Sequence, residues 1–90
     1  FNMKKSKEET TAQRLFRDFL MANYDTEGPQ HRIILLSTRE LIYRFRGTAE
    51  ISIPEALEIL EYLGYHSRQD ASGAVQWVLY ELHDPIDSWV

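Results

Sequence analysis

Apolar residues recur at helical spacing in three segments of the chain, and they alternate with polar residues near its C-terminal end. The first segment predicts a helix that begins at Thr10 or Thr11 and ends at about Asn23. Its apolar stripe consists of Ala12, Leu15, Phe16, Phe19, Leu20 and Ala22. Residues 23–29 follow, and their density of turn-forming side chains predicts a loop.

A short strand and a second helix are predicted next. The four branched apolar residues Ile33–Leu36 follow Gly-Pro and form a run too short for a helix, which indicates a short buried strand. Ser37 and Glu40 have the spacing of a capping box. They predict a helix over residues 38–46, with an inward face of Leu41, Ile42 and Phe45.

The third helix, over residues 52–63, has the clearest boundaries. Ser52 and Glu55 form another capping box, Pro54 lies in the first turn, and Gly64 can end the helix in a left-handed conformation. The predicted inward face consists of Ile53, Ala56, Leu57, Leu60 and Leu63. The predicted outward face consists of Glu55, Glu58, Glu61 and Tyr62.

After Gly64 the period of the pattern changes to two. Residues 65–68 and 74–82 are predicted strands, and residues 69–73 join them as a hairpin loop. We expect Trp77 and Leu79 to point towards the helices. Beyond the second strand, we expect Ile86 and Trp89 either to fold back on the domain or to contact a partner.

The composition is that of one small folded domain. The chain has 90 residues, of which 43% are hydrophobic, and no cysteine, so disulfides and thiolate metal sites are excluded. We expect residues 1–9 to form a flexible basic arm and residues 10–90 a single domain. No apolar run approaches the roughly 20 residues of a membrane span. We expect a cytoplasmic protein without membrane contact.

The charges are divided unequally along the chain. Residues 1–46 contain nine Lys or Arg and six acids, a net charge of +3, whereas residues 47–90 contain Arg68 and eight acids, a net charge of −7. The total of −4 argues against a dedicated polyanion binder. The division can be neutralised within the folded domain, or it can steer self-association or a charged partner.

No group of residues in the sequence indicates catalysis. The histidines, at positions 31, 66 and 83, lack the spacing of a metal site, and no Gly-rich phosphate loop is present. Ser37 and Ser52 are explained as helix caps rather than nucleophiles. We therefore expect no catalytic residue, no metal, no cofactor and no small-molecule substrate, and a protein that is not an enzyme.

The order helix, strand, helix, helix and hairpin resembles that of winged helix-turn-helix domains. The segments L-S-T-R-E-L-I and L-E-Y-L-G-Y are also similar to the winged-helix domains at the ends of primase-helicase proteins of mobile elements. The resemblance implies a small α+β fold with a C-terminal β-hairpin wing. It also implies that the helix over residues 52–63 enters the DNA major groove and that residues 69–73 touch phosphates.

The chain departs from that pattern at the helix that would read bases. A groove-reading helix needs Arg, Lys, Asn or Gln to satisfy base edges and phosphates. The predicted outward face instead carries Glu55, Glu58 and Glu61, which phosphates repel. Insertion of this helix into DNA is therefore disfavoured.

Two hypotheses for function follow. The first is a non-enzymatic winged-helix module that contacts a protein partner or a second copy through Glu58, Glu61, Tyr62 and Tyr65. Such a module is also compatible with a DNA-associated assembly. A basic face of Arg39, Arg44 and Arg46 would complement these acids and allow head-to-tail pairing. The alternative is a regulator that binds DNA phosphates directly, through Arg39, Arg44, Arg46, Arg68 and Gln69.

Overall fold

The described part of the chain contains three helices and four strands. A computed structural model describes residues 8–82. The helices are α1 (Thr11–Asn23), α2 (Thr38–Phe45) and α3 (Ile53–Tyr62), with a 3-10 turn at Gln30–Arg32. The strands are β1 (Tyr24–Asp25), β2 (Ile33–Leu36), β3 (His66–Gln69) and β4 (Val75–Glu81). The predicted α+β class with three helices is confirmed. Most of the predicted basic arm, and both Ile86 and Trp89, lie outside the described residues.

Strand β4 is the centre of an antiparallel sheet, because every other strand pairs with it. It pairs with β2 in a register that places Trp77 opposite Leu36. It pairs with β3 over residues 75–78 and with β1 at residues 80 and 81. Since Tyr80 faces both Asp25 of β1 and Ile33 of β2, these two strands lie on opposite edges. Strands β1 and β3 therefore share one edge, and β2 forms the other.

Each of the three helices begins with a capping box. The N-cap side chain accepts a hydrogen bond from the backbone of the third helical residue, whose own side chain accepts one from the N-cap N–H. The pairs are Thr10 with Gln13, Ser37 with Glu40 and Ser52 with Glu55. The last two were predicted from the sequence and are confirmed.

The hydrophobic core lies between the helices and one face of the sheet. Its largest fully buried side chains are Phe16, Leu20, Leu41, Phe45, Leu60 and Leu79. Trp77 and Leu79 point into it, as the alternation in β4 predicted. The Trp77 indole N–H donates to the Thr38 hydroxyl at 2.9 Å, which satisfies its buried polar atom.

The end of α3 shows why a glycine follows it. Gly64 has φ +89°, a left-handed conformation that other residues adopt only at a cost. The backbone N–H of Tyr65 then donates to the Leu60 carbonyl at 3.2 Å, satisfying one of the last carbonyls of the helix. The predicted stop at Gly64 is confirmed, and the same turn directs Tyr65 back into the core.

The predicted loop over residues 23–29 is wrong at its start, because Tyr24–Asp25 forms strand β1. Strand β4 continues past the end of β3, and β1 pairs with this extension. A strand of two residues is too short to show a period of two, so the local pattern contains no signal for it.

The predicted burial of β2 is correct only in part. Leu36 is buried, whereas Ile33, Ile34 and Leu35 are half-buried. Since helices cover one face of this sheet, side chains that alternate along the strand cannot all reach the core.

The inward face of α3 is turned relative to the prediction. Ala56, Ile59 and Leu60 are the buried residues of this helix, while Leu57 and Leu63 are half-buried. Ile59 was not part of the predicted face. The rotation brings the acidic side of α3 closer to a neighbouring helix, as described below.

Replacing Leu60 with Ala tests the importance of this burial. Leu60 is fully buried in the core, so we expect the free energy of unfolding to fall by about 2–5 kcal/mol. Met21, on α1, is 58% exposed, and Met21→Ala should change stability by no more than about 0.5 kcal/mol. Urea denaturation followed by circular dichroism measures both values. Equal losses in the two variants would contradict the assigned core.

Candidate functional site

Two of the acids predicted to face solvent on α3 are hydrogen-bonded to side chains at the start of α1. The carboxylate of Glu55 accepts hydrogen bonds from the Ser52 backbone at 3.1 Å and from the Thr10 hydroxyl at 2.8 Å. The carboxylate of Glu58 accepts one from the Gln13 side chain at 2.8 Å. Glu58 is exposed as predicted, but its carboxylate is already hydrogen-bonded to Gln13, and Glu55 is half-buried rather than fully solvated. The first turn of α1 lies against α3, and its polar groups use these carboxylates as acceptors.

Gln13 is the centre of this contact and is 3% exposed. Its side-chain oxygen accepts from the Thr10 backbone N–H at 3.0 Å. Its amide nitrogen donates to the Glu55 carbonyl at 3.2 Å and to the Glu58 carboxylate at 2.8 Å. A buried amide with both ends hydrogen-bonded joins two helices without the cost of an unpaired polar group.

Gln13 was not among the residues predicted from the sequence, although the sequence contains a signal for it. Gln13, Phe16 and Leu20 are spaced three and four residues apart, so they share one face of α1. A polar residue within an apolar stripe indicates a buried hydrogen-bonding position. Its partners could not be read from the sequence, because they lie more than forty residues away.

The hydrogen bonds of Glu55 also keep it ionised. The pKa of its carboxyl is lowered, chiefly by the hydrogen bond from the Ser52 backbone and then by the Thr10 hydroxyl. The capping interaction of α3 and the link to α1 thus share one carboxylate. The same negative charge lies near the N-terminus of α3, where the helix dipole favours it.

Tyr65 does not belong to an exposed patch. It is 7% exposed, and its hydroxyl donates to the Tyr24 carbonyl at 2.9 Å. Its predicted role as a partner-binding residue is corrected, because the turn at Gly64 directs the ring inwards. Burial raises the pKa of this phenol to about 12, with a smaller contribution from the charge of Asp25.

Of the predicted partner-binding residues, Glu58, Glu61 and Tyr62 are exposed, and we call Glu61 and Tyr62 the α3 tip because no other described side chain is hydrogen-bonded to them. Both belong to the last turn of α3, and Tyr62 is 76% exposed. The tip therefore presents a carboxylate beside a large aromatic ring. This combination suits the centre and rim of a protein interface better than a surface for nucleic acid.

A basic groove lies on the outer side of α2. Arg39, Ile42, Tyr43, Arg46 and Ile51 line an open cavity of about 520 Å³, which we call the α2 groove. The residues from α2 share one side of the helix because they are spaced three or four apart. Ile42 and Ile51 supply apolar surface, and the two arginines supply positive charge.

The arginine at the end of the groove is held in place. The guanidinium of Arg46 lies 3.8 Å from the centre of the Tyr43 ring and donates to the Tyr43 hydroxyl at 2.8 Å. Tyr43 itself is 62% exposed. Within residues 8–82, the ion pairs involve Arg17 alone among the arginines, so neither Arg39 nor Arg46 is neutralised by a described acid. The groove is thus a partly ordered cationic and aromatic surface.

The remaining predicted nucleic-acid contacts lie on other elements. Arg44 donates to the Tyr24 hydroxyl at 3.1 Å, on a different side of α2 from the groove. The predicted basic face of Arg39, Arg44 and Arg46 is therefore corrected to a pair. Arg68 is exposed on β3, and the Gln69 side chain turns back to the Gly73 carbonyl at 3.3 Å.

The hairpin loop next to these residues carries a negative charge. Asp70 accepts hydrogen bonds from the Ser72 hydroxyl at 2.6 Å and from the Ala74 backbone at 3.1 Å. These bonds lower its pKa, with the Ser72 hydroxyl as the largest cause. Asp70 is therefore ionised beside Arg68, which leaves the loop with little net positive charge to offer phosphates.

Residues 8–82 bring together no group of three or more His, Asp or Glu side chains able to hold a metal ion. None of the helices in the same part has the length and apolar character that crossing a bilayer requires.

Comparisons with protein-family models, with curated proteins and with solved structures find no match to this chain.

Replacing Gln13 with Glu tests the link between α1 and α3. The new carboxylate would face the Glu55 carbonyl and the Glu58 carboxylate, which now accept N–H donors. We expect the free energy of unfolding at pH 7 to fall by about 1–3 kcal/mol. Protonation of the new side chain restores a hydrogen-bond donor, so the stability that the variant loses relative to the wild type should shrink towards pH 4. Urea denaturation at both pH values measures it.

The control for this experiment is Gln13→Leu, which has a similar volume and cannot titrate. Its loss relative to the wild type should stay nearly constant between the two pH values. A loss in the Glu variant that does not depend on pH would show that Gln13 does not face Glu58 in solution.

Replacing Tyr65 with Phe tests the buried phenol. The pKa of this phenol in the folded protein, about 12, lies above the ordinary value of 10.0. The stability that the phenol contributes is therefore fully present below pH 10 and is lost as the pH rises towards 12. Tyr65→Phe should lower stability by about 0.5–1.5 kcal/mol at pH 7 and reduce the alkaline loss. Tyr62→Phe, at an exposed position, should change neither the stability at pH 7 nor the alkaline loss of stability. An unaltered alkaline loss in Tyr65→Phe would contradict the assignment.

Proposed function

We propose that this chain is a non-enzymatic winged-helix module that binds an acidic protein segment in its α2 groove. The element order supports the winged-helix assignment. So does the pairing of β2, between the first two helices, with the last strand β4. In this assignment the β3–β4 hairpin is the wing, and α2 and α3 are the two helices of the helix-turn-helix unit.

The side chains of α3 argue against base reading. Its exposed positions include Glu58, Glu61 and Tyr62, and none carries a positive charge. Base edges in the major groove are read chiefly by Arg, Lys, Asn and Gln, and binding depends on neutralising phosphates. Gln13 also holds α3 against α1, so the helix cannot rotate to turn its acidic side away from an approaching duplex.

The α2 groove has the chemistry of a protein-binding site. Its apolar surface from Ile42 and Ile51 can bury a hydrophobic or aromatic side chain, while Arg39 and Arg46 can pair with carboxylates beside it. The observation that carries the proposal is the stacking of Arg46 on Tyr43 at 3.8 Å. It orders two large side chains before a partner arrives, which lowers the entropy cost of binding.

Direct DNA binding is the alternative. It would use Arg39, Arg46 and Arg68 as phosphate contacts, and the exposure of all three favours it. Against it, Arg68 is on a separate element and lies beside the ionised Asp70. A test of the proposed function must therefore measure both ligands.

The experiment compares two ligands. A random copolymer of Glu and Tyr represents the acidic protein segment, and a short DNA duplex represents the alternative ligand. We expect the wild-type protein to bind the copolymer more tightly than polyglutamate. Arg39→Ala with Arg46→Ala should weaken binding about tenfold or more, a change of about 1.4 kcal/mol or more. Fluorescence anisotropy over a salt series measures both ligands.

The matched control is Arg68→Ala, which removes a charge outside the groove and should leave copolymer binding unchanged. Tight binding of the duplex that falls steeply with salt, and that depends on Arg68 as well as on the groove, would overturn the proposal in favour of DNA. Absence of copolymer binding by the wild type would also overturn it.

A further inference from the structure

We infer that the segment bound in the α2 groove is the α3 tip of a second copy of this chain. The inference rests on the proposed function, because it names the acidic partner of the same groove. It is carried by two surfaces of opposite charge and matching apolar character on one molecule.

The α3 tip lacks the cation that a helix end favours. The last turn of α3 contains Glu61 and no basic residue, although the C-terminus of a helix carries a partial negative charge. A carboxylate at this end is therefore unfavourable, and positive charge from outside would relieve the repulsion. Tyr62 beside it is 76% exposed, a large ring without cover.

The α2 groove offers the missing groups. Arg39 and Arg46 provide cations that no acid within residues 8–82 neutralises, and Tyr43 with Ile42 provides apolar surface. If a groove guanidinium pairs with Glu61 and the Tyr62 ring packs against Ile42, a single contact covers both surfaces. The opposite net charges of the two halves of the chain, +3 and −7, favour the same approach.

The two surfaces cannot meet within one molecule. The groove adjoins Ser52 and Ile53 at the beginning of α3, whereas the tip lies at the end of this helix. Helix α3 has 10 residues, so a rise of about 1.5 Å per residue separates the surfaces by about 14 Å along a rigid rod. The contact must therefore join two copies.

The resulting interface uses different surfaces on the two copies. After the first contact one molecule keeps a free tip and the other keeps a free groove, so the association continues into a ring or an open chain. This property separates the inference from a symmetric dimer, in which the second copy would use up the same surface on both molecules.

The test uses two variants that each lose one surface. The groove variant is Arg39→Ala with Arg46→Ala, and the tip variant is Glu61→Ala with Tyr62→Ala. We expect the wild type to associate beyond a dimer with rising concentration, and each variant alone to associate about tenfold or more weakly. An equal mixture should form a dimer and stop there, because one intact groove meets one intact tip. Sedimentation velocity measures these sizes, and circular dichroism verifies folding.

Glu27→Ala, which removes an exposed acid outside the tip, is the control and should associate like the wild type. Three outcomes would overturn the inference: a wild type that stays monomeric at millimolar concentration, association that neither variant weakens, or a mixture that forms no dimer. If the wild type still binds the Glu and Tyr copolymer in these cases, the proposed function stands and only the identity of the partner is wrong. If the copolymer is not bound either, both fall.

Discussion

The sheet in the described part of the chain depends on the hydrogen bonding of β4. This strand pairs with β2 on one side and with β1 and β3 on the other, so no other pair of strands would be held together without it. Its alternating side chains place Trp77 and Leu79 in the buried cluster that also contains residues from all three helices. The hydrogen bond from Trp77 to Thr38 then ties the centre of the sheet to the first turn of α2. A domain of this size has a modest core, and within residues 8–82 the same strand contributes to both the sheet and that core.

A second constraint determines which charges are available at the surface. The buried amide of Gln13 and the Thr10 hydroxyl occupy the carboxylates of Glu58 and Glu55, so much of the acidic side of α3 serves to hold α1. The acid and aromatic ring at the end of the helix are left for other contacts. The arginines of the α2 groove, by contrast, are not engaged in this way. The nearest described acids do not pair with Arg39 or Arg46, and the ring of Tyr43 holds one of these guanidinium groups in an exposed position. Internal packing thus separates a small acidic surface from a small basic one.

This separation gives the proposed function its physical basis. A helix that reads DNA must present donors and positive charge, whereas α3 presents carboxylates and a tyrosine. The basic groove is compact and has apolar surface between its charges, so it is better suited to a carboxylate next to a ring than to a row of phosphates. Because the groove and the tip lie at opposite ends of α3, the same rigid helix that keeps them apart in one molecule presents both to others.

The sequence by itself determined the features that depend on near neighbours in the chain. The capping boxes at Ser37 and Ser52, the stop at Gly64 and the inward side of β4 all follow from side chains a few residues apart, and each was predicted correctly. Tertiary structure alone decided the pairing of β1 with β4, the burial of Tyr65 and the engagement of Glu58 by Gln13. In each of these cases the partners are more than forty residues apart. Local periodicity identifies which face of a helix or strand is apolar, but only the packed chain specifies which polar group lies opposite a given carboxylate, amide or phenol.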